Sequence, residues 1–196
     1  MRPKFRYVIV QLYSYSGVRT TQMKVVLHIC CGVCAAGTAT ALLKEGYEII
    51  GLFFNPNIYP EAEFYKRLEA ARYIARLFQF QMEEIPYSPK EWLQKAGPLK
   101  DEPEGGKRCE ICYHLRLERT YYHMLNRGAD LFTTSLTVSP QKKASVINKI
   151  GMDIGADRFL GRDFKKGEGF KKAMQIAKQQ EIYRQNYCGC VYSIRK

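Results

Sequence analysis

VLHICCGVCA, residues 26–35, joins an apolar, β-branched run to three cysteines within five positions. Upstream, the run extends to MKVVLHI, which reads as a buried strand. Downstream, AAGTATALLKEG reads as a helix stopped by Gly46. A strand, a thiol-rich turn and a helix open an α/β unit. In open α/β sheets ligands bind at the carboxyl ends of the strands, which is where CCGVC falls.

The same alternation continues along the chain. YEIIGLFF is a second strand, followed by the loop NPNIYP. EAEFYKRLEAARYIARLF is a long helix with an apolar stripe through Phe64, Leu68, Ala71, Ile74, Ala75 and Phe78. QMEEIPY is a short strand. SPKEWLQKA predicts a helix with Ser88 as N-cap, Pro89 in first position and Glu91 closing a capping box. GPLKDEPEGGK, residues 97–107, is a connection rich in glycine, proline and charge. CEICYHLRLERTYYHMLNRG is a helix stopped by Gly128, and DLFTTSL a strand. SPQKKASVINKIG predicts another helix opening at Ser139 and Pro140, DRFLG one more strand, and the segment after KKGEGF a last helix before NYCGCVYSIRK. Strands alternating with helices predict a mainly parallel sheet with helices on both faces.

The chain has 196 residues, 46% hydrophobic and 26% charged, the profile of a folded globular domain. Residues 1–22 read as an N-terminal extension and 23–196 as a single α/β domain. No apolar run reaches the length of about 20 residues that spans a bilayer, and the start carries no signal-peptide pattern. A cytoplasmic location and no membrane partner are expected. The net charge of +12 suits a polyanionic partner such as nucleic acid.

Seven cysteines cannot all pair in internal disulfides. They fall into three groups: Cys30, Cys31 and Cys34; Cys109 and Cys112; Cys188 and Cys190. Each group alone is a weak signal. Three groups that together hold every cysteine point to metal binding, ahead of thiol–disulfide exchange or inert packing. Four thiolates suit zinc or an iron–sulfur cluster, and three thiols then remain for a second metal or for redox work. His28 reads as a hydrogen-bonded strand histidine. His114 and His123, nine residues apart on one helix, share no metal by local spacing.

HICCGVC, NPNIYPEAEFYKRLE, KRCEICYHLRLERT, FTTSLTVSPQK, DFKKGEGF and YRQNYCGCVYS resemble, in order, the motifs of the cobalamin-independent epoxyqueuosine reductase family. The resemblance covers roughly residues 24–193. It implies a catalytic domain with the nucleotide-binding (HUP-like) fold of PP-loop ATPases, in which CCGVC replaces the phosphate-binding glycine loop. It implies the last step of queuosine biosynthesis, removal of the epoxide oxygen of epoxyqueuosine at the tRNA wobble position. It further implies a [4Fe–4S] cluster, a second, non-cluster iron and an external electron donor. The expected division puts Cys109, Cys112, Cys190 and one of Cys30 and Cys31 on the cluster, with the remaining cysteines near the second iron. Asp163 is the candidate oxygen ligand, because the matching motif has an acid there. Tyr187, or Tyr183 before it, is the candidate proton donor. Arg67, Lys165, Lys166, Lys171, Lys172 and Arg184 are the candidate RNA contacts, with Lys66, Arg116 and Arg119 as further cations. Two other readings stay open: a zinc-stabilised RNA-binding protein without redox activity, and a metal-free thiol reductase.

Overall fold

The structure, a computed structural model, describes residues 22–194. The expected extension falls almost wholly on residues 1–21, outside the described residues. Four parallel strands form one sheet: β1 (Lys24–His28), β2 (Glu48–Phe53), β3 (Gln81–Glu84) and β4 (Leu131–Thr134), in the order β3-β2-β1-β4. This is the doubly wound α/β architecture expected from the alternation. Val25, Val26 and Leu27 are fully buried, as a central strand covered on both faces requires.

The chain moves from β1 outward to β2 and β3, then returns past β1 to β4. The order therefore reverses between β1 and β4, and a crevice opens at their carboxyl ends. Helix α1 (Gly32–Lys44) packs on α2 (Glu61–Phe78) and on α6 (Gly169–Gln179). Helix α4 (Lys107–Asn126) packs on β1, β4 and α5 (Ala144–Gly155). Right-handed crossovers to opposite sides of β1 put these two groups of helices on opposite faces. A short helix, α3 (Lys90–Ala96), packs against α4.

Three local expectations are corrected. The capping box at Ser88 does not form: α3 begins after Pro89 with no side-chain cap. Ser139 and Pro140 do not open α5, which starts at Ala144. Instead Ser139 closes a turn, its hydroxyl accepting from the Gln141 amide at 3.3 Å and its carbonyl from the Lys142 amide at 3.2 Å. A serine that satisfies a turn locally no longer caps a helix. DRFLG contributes one parallel bridge, Phe159 to Phe132, rather than a full strand.

Gly32 sets the approach of α1 to α2. A Cβ there would lie 2.7 Å from the backbone oxygen of Ala70. The nearest atoms are the Ala70 backbone and its Cβ, so a side chain has no flexible neighbour to displace. Gly32→Ala is expected to cost about 1–3 kcal/mol, a fall in Tm of roughly 2–4 °C per kcal/mol. An unchanged melting curve would show that the two helices are free to separate.

Candidate metal centre

Beyond His28 the chain leaves β1 and turns into α1. Ile29 is fully buried, and the Asn55 amide donates to its carbonyl at 2.9 Å. Cys31 is the N-cap of α1, with Cys34 in the first turn. The Cys30 amide donates to Ser135 Oγ at 3.0 Å, and that hydroxyl lies 3.3 Å from Cys30 Sγ. Ser135 follows β4 directly, so the two strands that border the reversal point both hold Cys30. The sulfurs of Cys30, Cys31 and Cys34 all lie within 4.8 Å of one another, and all three residues are buried.

Ionisation is unequal among them. Cys31 is held well below the usual thiol range, because the Cys30 and Cys34 thiols donate to its sulfur and the Cys34 amide and Gln185 side chain add to them. The helix N-terminus favours the same thiolate. Cys34 is pushed well up by its two thiol neighbours and then by burial. Cys30 is also raised, through Cys31 first. The three buried sulfurs thus pull one another's ionisation in opposite directions. A cation is what allows all three to ionise, so the donor set fits a thiophilic metal.

Among the described residues only Cys30, Cys31 and Cys34 come together as possible ligands of one ion, and the other four cysteines stand outside that group. Cys109 and Cys112 lie in the first turns of α4, and Cys188 and Cys190 in the C-terminal loop. Cys112 and Cys190 share a small apolar cluster with Trp92 and Leu115. Burial raises Cys109, and it pushes Cys112 up to about 11. Cys30, Cys34 and Cys188 line one cavity of about 270 Å³ with Arg116, Lys142 and Gln185. Lys142 Nζ donates to Cys188 Sγ at 3.4 Å. Arg116 is buried, with Nε on the Cys112 carbonyl at 3.0 Å, and thiolate charge on Cys112, Cys188 or Cys30 would favour its charged form against burial. Positive charge thus stands beside the thiols at the cavity.

His28 is no ligand in this arrangement. Nε2 donates to the Phe54 carbonyl at 3.1 Å, so Nδ1 accepts from the Thr134 hydroxyl at 2.9 Å. Burial, then Arg116, pushes its pKa down to about 4. His114 is exposed, and His123 lies 3.5 Å from Glu83 at the other end of α4.

The other expected site residues have partners of their own or stand at the surface. Asp163 is not part of the three-thiol group: its carboxylate pairs with Lys165 Nζ at 2.8 Å. Lys165 Nζ also reaches the Lys142 carbonyl at 3.4 Å, so the acid touches the site only through this chain of contacts. Tyr187 lines the cavity, but its hydroxyl donates to the Tyr59 carbonyl, and burial raises its pKa. Tyr183 donates to Glu63 at 2.6 Å, and burial with that contact pushes it up to about 12. Lys166, Lys171, Lys172 and Arg184 are exposed, although Lys171 pairs with Glu168 at 2.9 Å. Arg119 lies over the Phe54 ring, 5.3 Å from its centre, and Lys66 over Tyr183 at 5.9 Å.

Arg67, expected at the RNA surface, is 3% exposed and fully engaged. It pairs with Glu63 at 2.7 Å and donates to the carbonyls of Cys188 at 3.0 Å and Tyr187 at 3.2 Å. Gly189 packs against the guanidinium at φ +114°, where a Cβ would lie 2.8 Å from Nη1. The Gly189 carbonyl accepts from the Tyr59 amide at 2.7 Å. Arg67 therefore carries the loop that delivers Cys188 and Cys190. Removing one partner of a buried ion pair costs about 3–5 kcal/mol. Arg67→Ala is expected to lower Tm and to speed amide exchange at residues 186–190. Unchanged protection there would show that the loop is held by other contacts.

A family model described as Epoxyqueuosine reductase QueH matches residues 25–196. An Epoxyqueuosine reductase QueH from Streptococcus pyogenes serotype M1 is 33% identical over 96% of this chain and 77% of its own length. Another, from Thermotoga maritima, is 36% identical over 87% of this chain and 90% of its own. Among solved structures, the NMN synthetase from Francisella tularensis aligns with a TM-score of 0.50 over 92% of this chain and 73% of that one, at 13% identity, a likeness of fold alone. The chain belongs to the epoxyqueuosine reductase QueH family.

Proposed function

We propose that this protein reduces epoxyqueuosine to queuosine at the wobble position of tRNA, the last step of making that nucleoside. The observation that carries the reading is the group of three thiols within 4.8 Å at the carboxyl end of β1, in a chain of this family. Removing the epoxide oxygen takes two electrons and two protons, leaves an alkene and releases water. An external donor supplies the electrons. A [4Fe–4S] cluster, when bound, supplies them singly, and an adjacent iron supplies a Lewis acid for the epoxide oxygen.

Cys109, Cys112, Cys190 and one of Cys30 and Cys31 would hold the cluster. The remaining cysteines would hold the second iron, with Asp163 as oxygen ligand once it releases Lys165. Cys30 and Cys31, 3.9 Å apart, suit a position between two neighbouring centres. Lys142 and Arg116 would stabilise negative charge developing on the departing oxygen. Tyr187 would serve as proton donor after giving up the Tyr59 carbonyl. Lys165, Lys166, Lys172 and Arg184 would contact the anticodon phosphates, in the cytoplasm where tRNA is modified. An unstacked loop base is the usual target of specific RNA recognition.

The test is anaerobic incubation of tRNA carrying epoxyqueuosine with the protein and a strong reductant, followed by nucleoside mass spectrometry. Wild-type protein is expected to convert the nucleoside with loss of one oxygen. Cys31→Ser is expected to lower conversion and iron content together, by more than the 10–100-fold (roughly) typical of an outer-shell partner. Conversion by protein stripped of metal would support thiol chemistry instead. Tight tRNA binding with zinc and no conversion would support the RNA-binding reading.

A further inference from the structure

Helix α6 has two sides with different work. Ala173 and Ala177 are buried where the helix packs on α1. Beside them a second, open groove of about 440 Å³ runs between α6 and the segment that follows it. Met174, Ala177 and Ile182 give it an apolar floor, and Gln175, Lys178 and Arg184 form a polar, cationic rim. Lys171 also borders the groove but is paired with Glu168. Among the described residues neither Lys178 nor Arg184 has an acidic partner, and both are exposed.

The groove adjoins the thiol-lined cavity, since Met174 and Arg184 line both. Whatever fills the groove lies next to whatever fills the cavity. An apolar floor suits the flat face of a nucleobase, and a methionine wall adapts to an aromatic ring. Unpaired cations on the rim suit its phosphate. We propose that this groove is a subsite for the nucleotide adjoining the target in the anticodon loop, holding that base unstacked against Met174 and Ile182 with its phosphate on Lys178 and Arg184. The inference rests on the reading that the cavity takes the wobble nucleotide.

The experiment measures binding of full-length protein, prepared without oxygen, to an anticodon stem-loop RNA carrying epoxyqueuosine. Two further RNAs lack the base on one or the other side of the wobble position. One of these is expected to bind wild-type protein about tenfold more weakly. Ile182→Ala is expected to lose the same factor on intact RNA and nothing more on that abasic RNA. Lys178→Gln is expected to reduce the slope of log affinity against log salt by about one. Equal binding of all three RNAs to wild-type protein overturns the subsite while leaving the proposed function standing, and needs no variant to fold. Failure of wild-type protein to bind any of the RNAs overturns both.

Discussion

Sulfurs buried side by side cannot all carry charge unless a cation joins them. The rest of the site follows from that constraint. At the β1–α1 turn ionisation is easiest at Cys31, because it caps the helix and accepts hydrogen bonds from both neighbouring thiols. The same contacts make ionisation harder at Cys30 and Cys34. A metal ion reverses this balance by replacing shared protons with its own charge. The fold supplies the location: the strand order reverses between β1 and β4, and the crevice there is bordered by Cys30 from one strand and Ser135 from the other.

The remaining four cysteines lie on distant segments. Helix α4, which carries Cys109 and Cys112, packs on β1 and β4. The C-terminal loop has no regular structure from Ile182 to Cys190 to position it. It is fixed instead by Arg67, a buried cation whose guanidinium spans Glu63 and two loop carbonyls, and by the Tyr59 backbone. Gln185 then reaches Cys31 at 3.0 Å, and Lys142 reaches Cys188 at 3.4 Å. Stability and site assembly thus share the same residues, and the ion pair on α2 works on sulfurs that it never touches.

The sheet, the long helices and the location of CCGVC were legible because hydrophobic period and glycine stops report local structure directly. Arg67 is buried rather than at the RNA surface, and the signal for that is present in the sequence. The residue falls four residues after Glu63, on the stripe of Phe64, Leu68 and Ala71 that the helical period already assigned to the interior. Lys142 was hidden by a Ser-Pro pair that resembles a helix start but closes a turn, which turns the lysine inward. Asp163 and Tyr187 show a different limit. Sequence places them in motifs that border the site, but their partners, Lys165 and the Tyr59 carbonyl, are set by tertiary packing that no local pattern encodes.

The proposed reduction needs thiols from three segments to hold a redox metal centre. Iron, zinc and acid-labile sulfide should be counted per chain in protein purified without oxygen, alongside its visible spectrum. The expected result is a brown protein with about four sulfides and four to five irons per chain. A colourless protein with about one zinc and no sulfide would contradict it, and the thiols would then be a structural metal site.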